Sequence, residues 1–112
     1  MDRNRINVDL LDPNDPFEID AGNRPHLYKH GYSPEDALDV YIGEPLFYPA
    51  QSPADWLMVG PVPGRVVLCV PLAPPSTGHY FKARPIGVYR ASTSLTTRFW
   101  IDITTTIGDG HA

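Results

Sequence analysis

Histidine and arginine side chains are the groups of this 112-residue chain whose types and spacing best suit chemistry. His26 and His30 stand four residues apart, the spacing of a two-histidine metal site on a helix. No glutamate lies between them and no third ligand is near in sequence, so a metal site is the less favoured interpretation. Arg84 and Arg90 stand six apart, an even number, so on a regular strand they share one face. That face could bind phosphate, although two arginines on one face are more often only solvated.

Aromatic residues offer a second kind of chemistry, the stacking of nucleic-acid bases. At these spacings they are more often part of a hydrophobic core, and both interpretations stay open. The sequence has no Ser-His-Asp or Cys-His order that suggests nucleophilic catalysis, and no glycine loop that binds phosphate. The aromatic candidates are Tyr28, Tyr32, Tyr41, Phe47, Tyr48 and Trp56.

The distribution of charge is more informative than the net charge of −4. Residues 1–20 hold six acidic and two basic groups, and residues 101–112 hold two acidic groups. Residues 21–100 hold seven basic and five acidic groups, so the body of the domain is mildly basic. An acidic arm either folds over a basic site or keeps the protein in solution, and the second use is the more common.

Chain length allows one domain with a single hydrophobic core. The longest apolar run, Val66–Val70, is far shorter than the roughly 20 residues that span a bilayer. The N-terminal residues lack the apolar core of a signal peptide. Cys69 lies inside the apolar run, so we expect a buried, reduced thiol. These features predict a cytoplasmic protein with no membrane partner.

A helical hairpin is predicted between residues 23 and 42. Asn23 is the expected cap of its first helix, and Lys29 and His30 place positive charge in the last turn. Gly31 supplies the left-handed residue that ends this helix.

The second helix of the hairpin has strong start signals. Ser33 is its predicted cap and Pro34 its first residue. Glu35 and Asp36 place negative charge at its N-terminus, which the helix dipole favours. We expect this helix to run to about residue 42.

β-strands are predicted in most of the remaining chain. Trp56–Gly60 and Arg65–Leu72 form a hairpin, and the valine-rich second run is expected at the centre of the sheet. Phe81–Arg90 is the last strand, and Pro85 requires that it lie at an edge or carry a bulge. Shorter strands are expected at residues 17–20 and 46–48.

The ends of the chain are predicted to be irregular. Residues 1–16 form an acidic extended arm whose first eight residues are mobile, and residues 101–112 form a flexible tail. A short helix, capped by Ser92 or Thr93, precedes that tail. The fold class is therefore α+β: residues 17–100 form a single domain in which a small antiparallel sheet of three to four strands lies between a two-helix hairpin and a short C-terminal helix.

Three segments carry a family resemblance: Phe17–Asp20, Lys29–Gly31 followed by Ala37, and Arg84–Ser92. Together they resemble the layout of BrnT-type toxins, which belong to the RelE/ParE-like superfamily. The resemblance covers roughly residues 17–100. It implies a RelE-like fold, an endoribonuclease activity that arrests growth, and a small cognate antitoxin, with the protein in a homodimer or a toxin–antitoxin hetero-oligomer. It implies no metal and no cofactor.

The resemblance also implies roles for particular residues. Metal-independent RNA cleavage needs a base at the 2′-hydroxyl, an acid at the leaving 5′-oxygen and cations on the phosphate oxygens. Arg84 and Arg90 would hold the phosphate, because guanidinium groups donate in pairs. Proton transfer would fall to Lys29, His30 or Tyr89. Further RNA contacts would come from Arg65, Lys82 and Arg98.

The chain departs from the family at three places, one of which is the set of five prolines between Pro61 and Pro75, unusual for the family's hairpin. Tyr89 stands where a second consecutive basic residue is usual, and the helix after Ser92 keeps only Arg98 as a basic residue and lacks the usual glutamate. These departures affect the site more than the fold. A catalytically inactive domain that binds a protein partner is therefore the alternative function.

Overall fold

An antiparallel sheet with helices on both faces forms the framework of the protein. The computed structural model describes residues 5–64, 66–78 and 80–110. The α+β class and the C-terminal helix are as predicted. After a 3-10 turn at Val8–Leu10, the elements are α1 (Arg24–Tyr28), α2 (Pro34–Ile42), β1 (Leu46–Pro49), β2 (Trp56–Pro61), β3 (Val67–Ala73), β4 (Arg84–Pro85), β5 (Tyr89–Arg90) and α3 (Thr93–Gly110).

The valine-rich strand β3 is central to the sheet, as predicted. It pairs with β2 on one side and with both β4 and β5 on the other, and β1 continues the sheet beyond β2. β3 has apolar side chains on both faces, which is typical of a strand covered on both faces. A central position also pairs both rows of its backbone groups, whereas an edge strand leaves one row exposed to water. The predicted β2–β3 hairpin is confirmed.

Two hydrophobic clusters pack on opposite faces of β3. Leu68, Val70 and Leu72 join the cluster that includes Leu27 of α1 and Val40 of α2. The alternate residues Val67 and Cys69 join a second cluster with Phe99 of α3, which is 1% exposed. Burial of such a phenylalanine contributes about 1.5–3 kcal/mol. Helices α1 and α2 therefore cover one face of the sheet, and α3 covers the other.

Local capping fixes the second helix as the sequence predicts. The Ser33 amide donates to Asp36 Oδ2 over 2.9 Å, and the Asp36 amide donates to Ser33 Oγ over 3.3 Å, which completes a capping box. Gly31 has φ +86°, the left-handed conformation that ends the preceding turn.

The first helix is shorter than predicted. It ends at Tyr28, so Lys29 and His30 lie in the turn that follows. Asn23 occupies the N-cap position, as predicted, but its side chain makes no capping hydrogen bond. Its buried Nδ2 group instead donates to the Glu18 carbonyl over 2.9 Å and to the Pro85 carbonyl over 2.8 Å. This side chain therefore links the N-terminal arm to the sheet.

The last predicted strand is divided into β4 and β5 by a bulge. Pro85 pairs with Leu72 of β3, and Tyr89 pairs with Cys69. Three residues separate the first pair from the second along the edge strand, but only two separate them along β3. The extra residue is a β-bulge, which agrees with the edge or bulge predicted from Pro85.

This bulge changes which residues share a face. Arg84 lies opposite Ala73, and Arg90 lies opposite Leu68. Ala73 and Leu68 are an odd number of residues apart on the regular strand β3, so they point to opposite faces. The prediction that Arg84 and Arg90 share one face is therefore wrong.

The N-terminal arm is attached to the sheet and is not free. The Ile6 amide donates to Asp55 Oδ2 over 2.9 Å, and the Trp56 indole donates to the Ile6 carbonyl over 2.8 Å. Mobility was predicted for the first eight residues, and it is wrong for residues 5–8; residues 1–4 lie outside the described part. The strand predicted at 17–20 is reduced to one parallel bridge between Phe17 and Ala83.

The C-terminal helix is longer than predicted. It continues to Gly110, where a flexible tail from residue 101 was expected, and His111 and Ala112 lie outside the described part. The β-branched residues after Ile103 have low helix propensity, which explains the prediction. Tertiary contacts hold the helix as far as Ile103: the Tyr48 hydroxyl donates to Asp102 over 2.7 Å, and Ile103 packs against the second cluster. Within the described residues, no helix is long and apolar enough to cross a membrane.

Candidate functional site

A surface depression of about 550 Å³ brings together residues from two distant parts of the chain. His30 and Tyr32 come from the turn between α1 and α2, and Tyr89 and Arg90 come from β5 at the sheet edge. Three of these four residues, His30, Tyr89 and Arg90, are among the predicted catalytic residues. The structure thus brings three of the five predicted catalytic residues to one location.

The turn around Gly31 positions the first two residues of the depression. Its positive φ reverses the chain after α1, and the Gly31 amide donates to the Tyr28 carbonyl over 3.1 Å. The His30 ring then meets the Tyr89 ring edge to face, with centroids 5.9 Å apart and an angle of 69° between planes. This geometry is favourable for aromatic rings and holds the imidazole at the depression.

Tyr89 contributes its ring to the depression, whereas its hydroxyl is turned toward the core. The Cys69 thiol donates to the Tyr89 hydroxyl over 3.5 Å. Burial and the neighbouring thiol both raise the pKa of Tyr89, so the phenol stays neutral in ordinary buffers. Burial likewise raises the pKa of Cys69, and the thiol stays protonated. This contact therefore does not support the proton-transfer role that was predicted for Tyr89.

Arg90 and Lys29 are both exposed cations. Within the described ranges, neither forms an ion pair with a carboxylate. Arg90 borders the depression directly, and Lys29 precedes His30 in the turn. Their side chains are therefore accessible to an anionic ligand.

Arg84, by contrast, is held by two carboxylates of the N-terminal arm. Its Nη1 group donates to Glu18 Oε1 over 2.8 Å and to Asp20 Oδ2 over 2.7 Å, and Nη2 donates to Asp20 Oδ1 over 3.0 Å. The contact with Asp20 and then that with Glu18 raise the pKa of Arg84, while Arg84 lowers the pKa of Asp20. A guanidinium engaged in this way has few donors left for phosphate.

Glu18 also fixes the loop that precedes β4. Its Oε1 accepts from the Ser76 amide over 2.9 Å and from the Ser76 hydroxyl over 2.8 Å, and its Oε2 accepts from the Thr77 hydroxyl over 2.8 Å. Burial alone raises the pKa of Glu18, but the hydrogen bonds from Ser76, Thr77 and Arg84 outweigh it and lower the pKa to about 2. Glu18, Asp20 and Arg84, with Ser76 and Thr77, form what we term the arm latch.

Two of the three predicted RNA-contact residues, Lys82 and Arg98, do not line the depression. Lys82 forms an ion pair with Asp15 at 2.6 Å. Arg98 lies 3.6 Å from Asp102 and stacks over the Tyr48 ring, 5.1 Å from its centroid. The third, Arg65, lies outside the described residues.

The predicted aromatic candidates divide between core and surface. Tyr41 and Phe47 pack against the first cluster, and Tyr48 packs against the second. Tyr32 also packs against the first cluster, but it lines the depression as well. Tyr32 was one of six aromatic candidates for base stacking in the sequence, and the sequence did not separate it from the other five. In the described part of the chain, no three potential metal ligands cluster.

Searches of protein-family models, curated proteins and solved structures found no match to this chain. The resemblance to BrnT-type toxins thus stays a prediction drawn from residues alone. The local geometry of the depression carries the functional argument.

Proposed function

We propose that the protein is a metal-independent endoribonuclease of the toxin type, and that its site is the depression at His30 and Arg90. The observation that supports this most is the meeting of a histidine, two tyrosine rings and an arginine, which has no carboxylate partner among the described residues, in one surface depression. Histidine both accepts and donates protons near neutral pH. Arginine binds phosphate in pairs of hydrogen bonds, and aromatic rings accept RNA bases.

The reaction uses the 2′-hydroxyl of the RNA as the nucleophile. His30 accepts the proton of this hydroxyl while the 2′-oxygen attacks the adjacent phosphorus. The bond between phosphorus and the 5′-oxygen breaks, which leaves a 2′,3′-cyclic phosphate and a 5′-hydroxyl. Arg90 stabilises the charge on the non-bridging oxygens, and Lys29 supplies the leaving oxygen with a proton.

Arg84 is assigned a structural role in this proposal. Its three hydrogen bonds to Glu18 and Asp20 compete with any phosphate, and the bulge directs it away from the face of Arg90. Tyr89 supports the position of His30 with its ring and takes no proton.

The purified protein tests the proposal when it is incubated with single-stranded RNA in the presence of EDTA. We expect cleavage products that end in a cyclic phosphate. His30→Gln should slow the cleavage by about a hundredfold or more, because it removes the proton acceptor. Expression in bacteria should arrest growth, and this arrest should be absent for His30→Gln. An intact RNA substrate after long incubation with folded wild-type protein would contradict the proposal.

A second candidate is a domain that binds a protein partner without catalysis. Apolar side chains exposed on α2 and α3 favour it: Ile42 is 66% exposed and Ile101 is 57% exposed. Because α2 and α3 lie on opposite faces of the sheet, these are two separate sites, and within a toxin–antitoxin pair either one would receive the antitoxin. Ile42→Lys or Ile101→Lys should then abolish the cellular phenotype while His30→Gln leaves it intact; the opposite pattern favours the ribonuclease.

A further inference from the structure

Tyr32 is the residue of the depression whose packing in the fold accounts for only part of its side chain. It is only partly buried, and part of its side chain packs against the first hydrophobic cluster. Among the described residues its ring forms no pair with another ring, whereas Tyr89 pairs with His30. No protein group in those same ranges hydrogen-bonds to its hydroxyl, and it is not a buried unsatisfied group. The ring is thus anchored at the core and open at the depression.

The backbone on either side holds Tyr32 in place. Gly31 fixes the reversal before it, and the capping box at Ser33 fixes the chain after it. A ring that is held in this way loses little conformational entropy when a flat ligand packs against it. Tyrosine also offers a large contact area with few rotatable bonds.

The chemistry beside Tyr32 indicates the kind of ligand. Arg90 borders the same depression and offers a phosphate contact. A flat ring next to a phosphate-binding cation suits a nucleotide whose base is unstacked. Bases in a duplex are already stacked on their neighbours, and only single-stranded or looped RNA can present one to a side chain.

We propose that Tyr32 is the base-stacking surface of the depression and restricts its ligand to RNA with an unpaired base. This inference rests on the proposed function, because it names the substrate class of the same site. Tyr32 takes no part in proton transfer. Its contribution lies in the binding and orientation of the nucleotide, and it requires the ring but not the hydroxyl.

Fluorescence anisotropy tests the inference with two labelled probes of equal length and charge. One is an oligouridylate whose 2′-oxygens are methylated, which prevents cleavage; the other is the same backbone without bases. We expect the wild type to bind the probe with bases about tenfold more tightly than the baseless backbone, since stacking on one aromatic ring contributes this much. Tyr32→Leu keeps an apolar side chain against the core and should remove most of the difference. Tyr32→Phe keeps the ring and should restore it.

Tyr28→Leu is the matched control, because Tyr28 is an exposed tyrosine on α1 that does not line the depression. It should leave the binding of both probes unchanged. Thermal unfolding of every variant confirms that each is folded, and Tyr32→Phe keeps the test valid if Tyr32→Leu is unstable.

The outcomes separate the inference from the proposed function. If the wild type and Tyr32→Leu prefer the probe with bases equally, the inference is overturned while ribonuclease activity can stand. If the wild type binds neither probe and cleaves no RNA, the proposed function fails and the inference fails with it. Equal loss in Tyr32→Leu and Tyr32→Phe would also overturn it, since the hydroxyl would then be the contact.

Discussion

The two ends of the edge strand carry the same side chain in opposite settings. Arg84 is enclosed by Glu18 and Asp20, and its side chain is 19% exposed. Arg90 is exposed beside His30 and has no carboxylate partner in the part of the chain that the structure describes. The difference arises from tertiary pairing: the arm supplies carboxylates at one end, and the bulge directs the other end toward the turn after α1. An arginine is therefore available for chemistry only where the fold leaves its charge unpaired.

Removal of the two arginines should affect stability very differently, and this is the largest difference in stability that we expect. Arg84→Met breaks a network of charged hydrogen bonds and should lower the free energy of unfolding by about 2 kcal/mol. Arg90→Met removes an exposed side chain and should change it by less than about 0.5 kcal/mol. Urea denaturation measures both values. Equal destabilisation by the two substitutions would remove the contrast between the ends.

Gly31 bears on the same comparison because it shapes the turn that places His30 in the depression with Arg90. A Cβ at this residue would meet nothing within 4 Å, so the cost of Gly31→Ala comes from the backbone at φ +86° alone. We expect a loss of about 1 kcal/mol, and a smaller loss for Gly31→Asn, because asparagine tolerates the left-handed conformation. Chemical denaturation provides the values. A neutral Gly31→Ala would mean that the turn is not constrained.

The arm latch should make the Arg84 end sensitive to acid. The pKa of Glu18 is lowered from 4.5 to about 2, so the folded state binds the proton less readily than the unfolded state. The stabilisation is therefore complete above about pH 4.5 and is lost as the pH falls toward 2. Thermal unfolding should show that the wild type loses the stabilisation contributed by ionised Glu18 when the pH is lowered.

Glu18→Gln should be less stable at neutral pH and should vary less with pH over the same range. Glu44→Gln serves as the control, since Glu44 is exposed and is not part of the latch. Parallel acid profiles of the wild type and Glu18→Gln would show that Glu18 does not carry the acid dependence.

Local sequence signals predicted the parts of the fold that local contacts determine. Ser33, Pro34 and Gly31 act on the backbone within a few residues, so the start of α2 and the end of the preceding turn followed from residue type alone. The central position of β3 followed equally from its apolar residues on both faces.

Features that depend on distant partners could not be predicted in this way. The separation of Arg84 from Arg90 depends on one extra residue opposite β3. Pro85 indicated an edge position or a bulge, but the sequence did not decide between the two. The inward direction of the Tyr89 hydroxyl depends on Cys69, twenty residues away. The helix beyond residue 100 is held at Asp102 and Ile103 by contacts with Tyr48 and the second cluster, which the sequence did not reveal. The resemblance identified His30 and Arg90, but only the fold brought them together.

Cleavage of single-stranded RNA by Arg84→Met and Arg90→Met, both kept well below their unfolding midpoints, tests the central claim most directly. Single-turnover rates remove the effect of product release. We expect Arg90→Met to cleave about a hundredfold more slowly than the wild type, because it loses the cation on the phosphate, and Arg84→Met to stay close to the wild-type rate. Loss of cleavage in folded Arg84→Met with full activity in Arg90→Met would contradict the account.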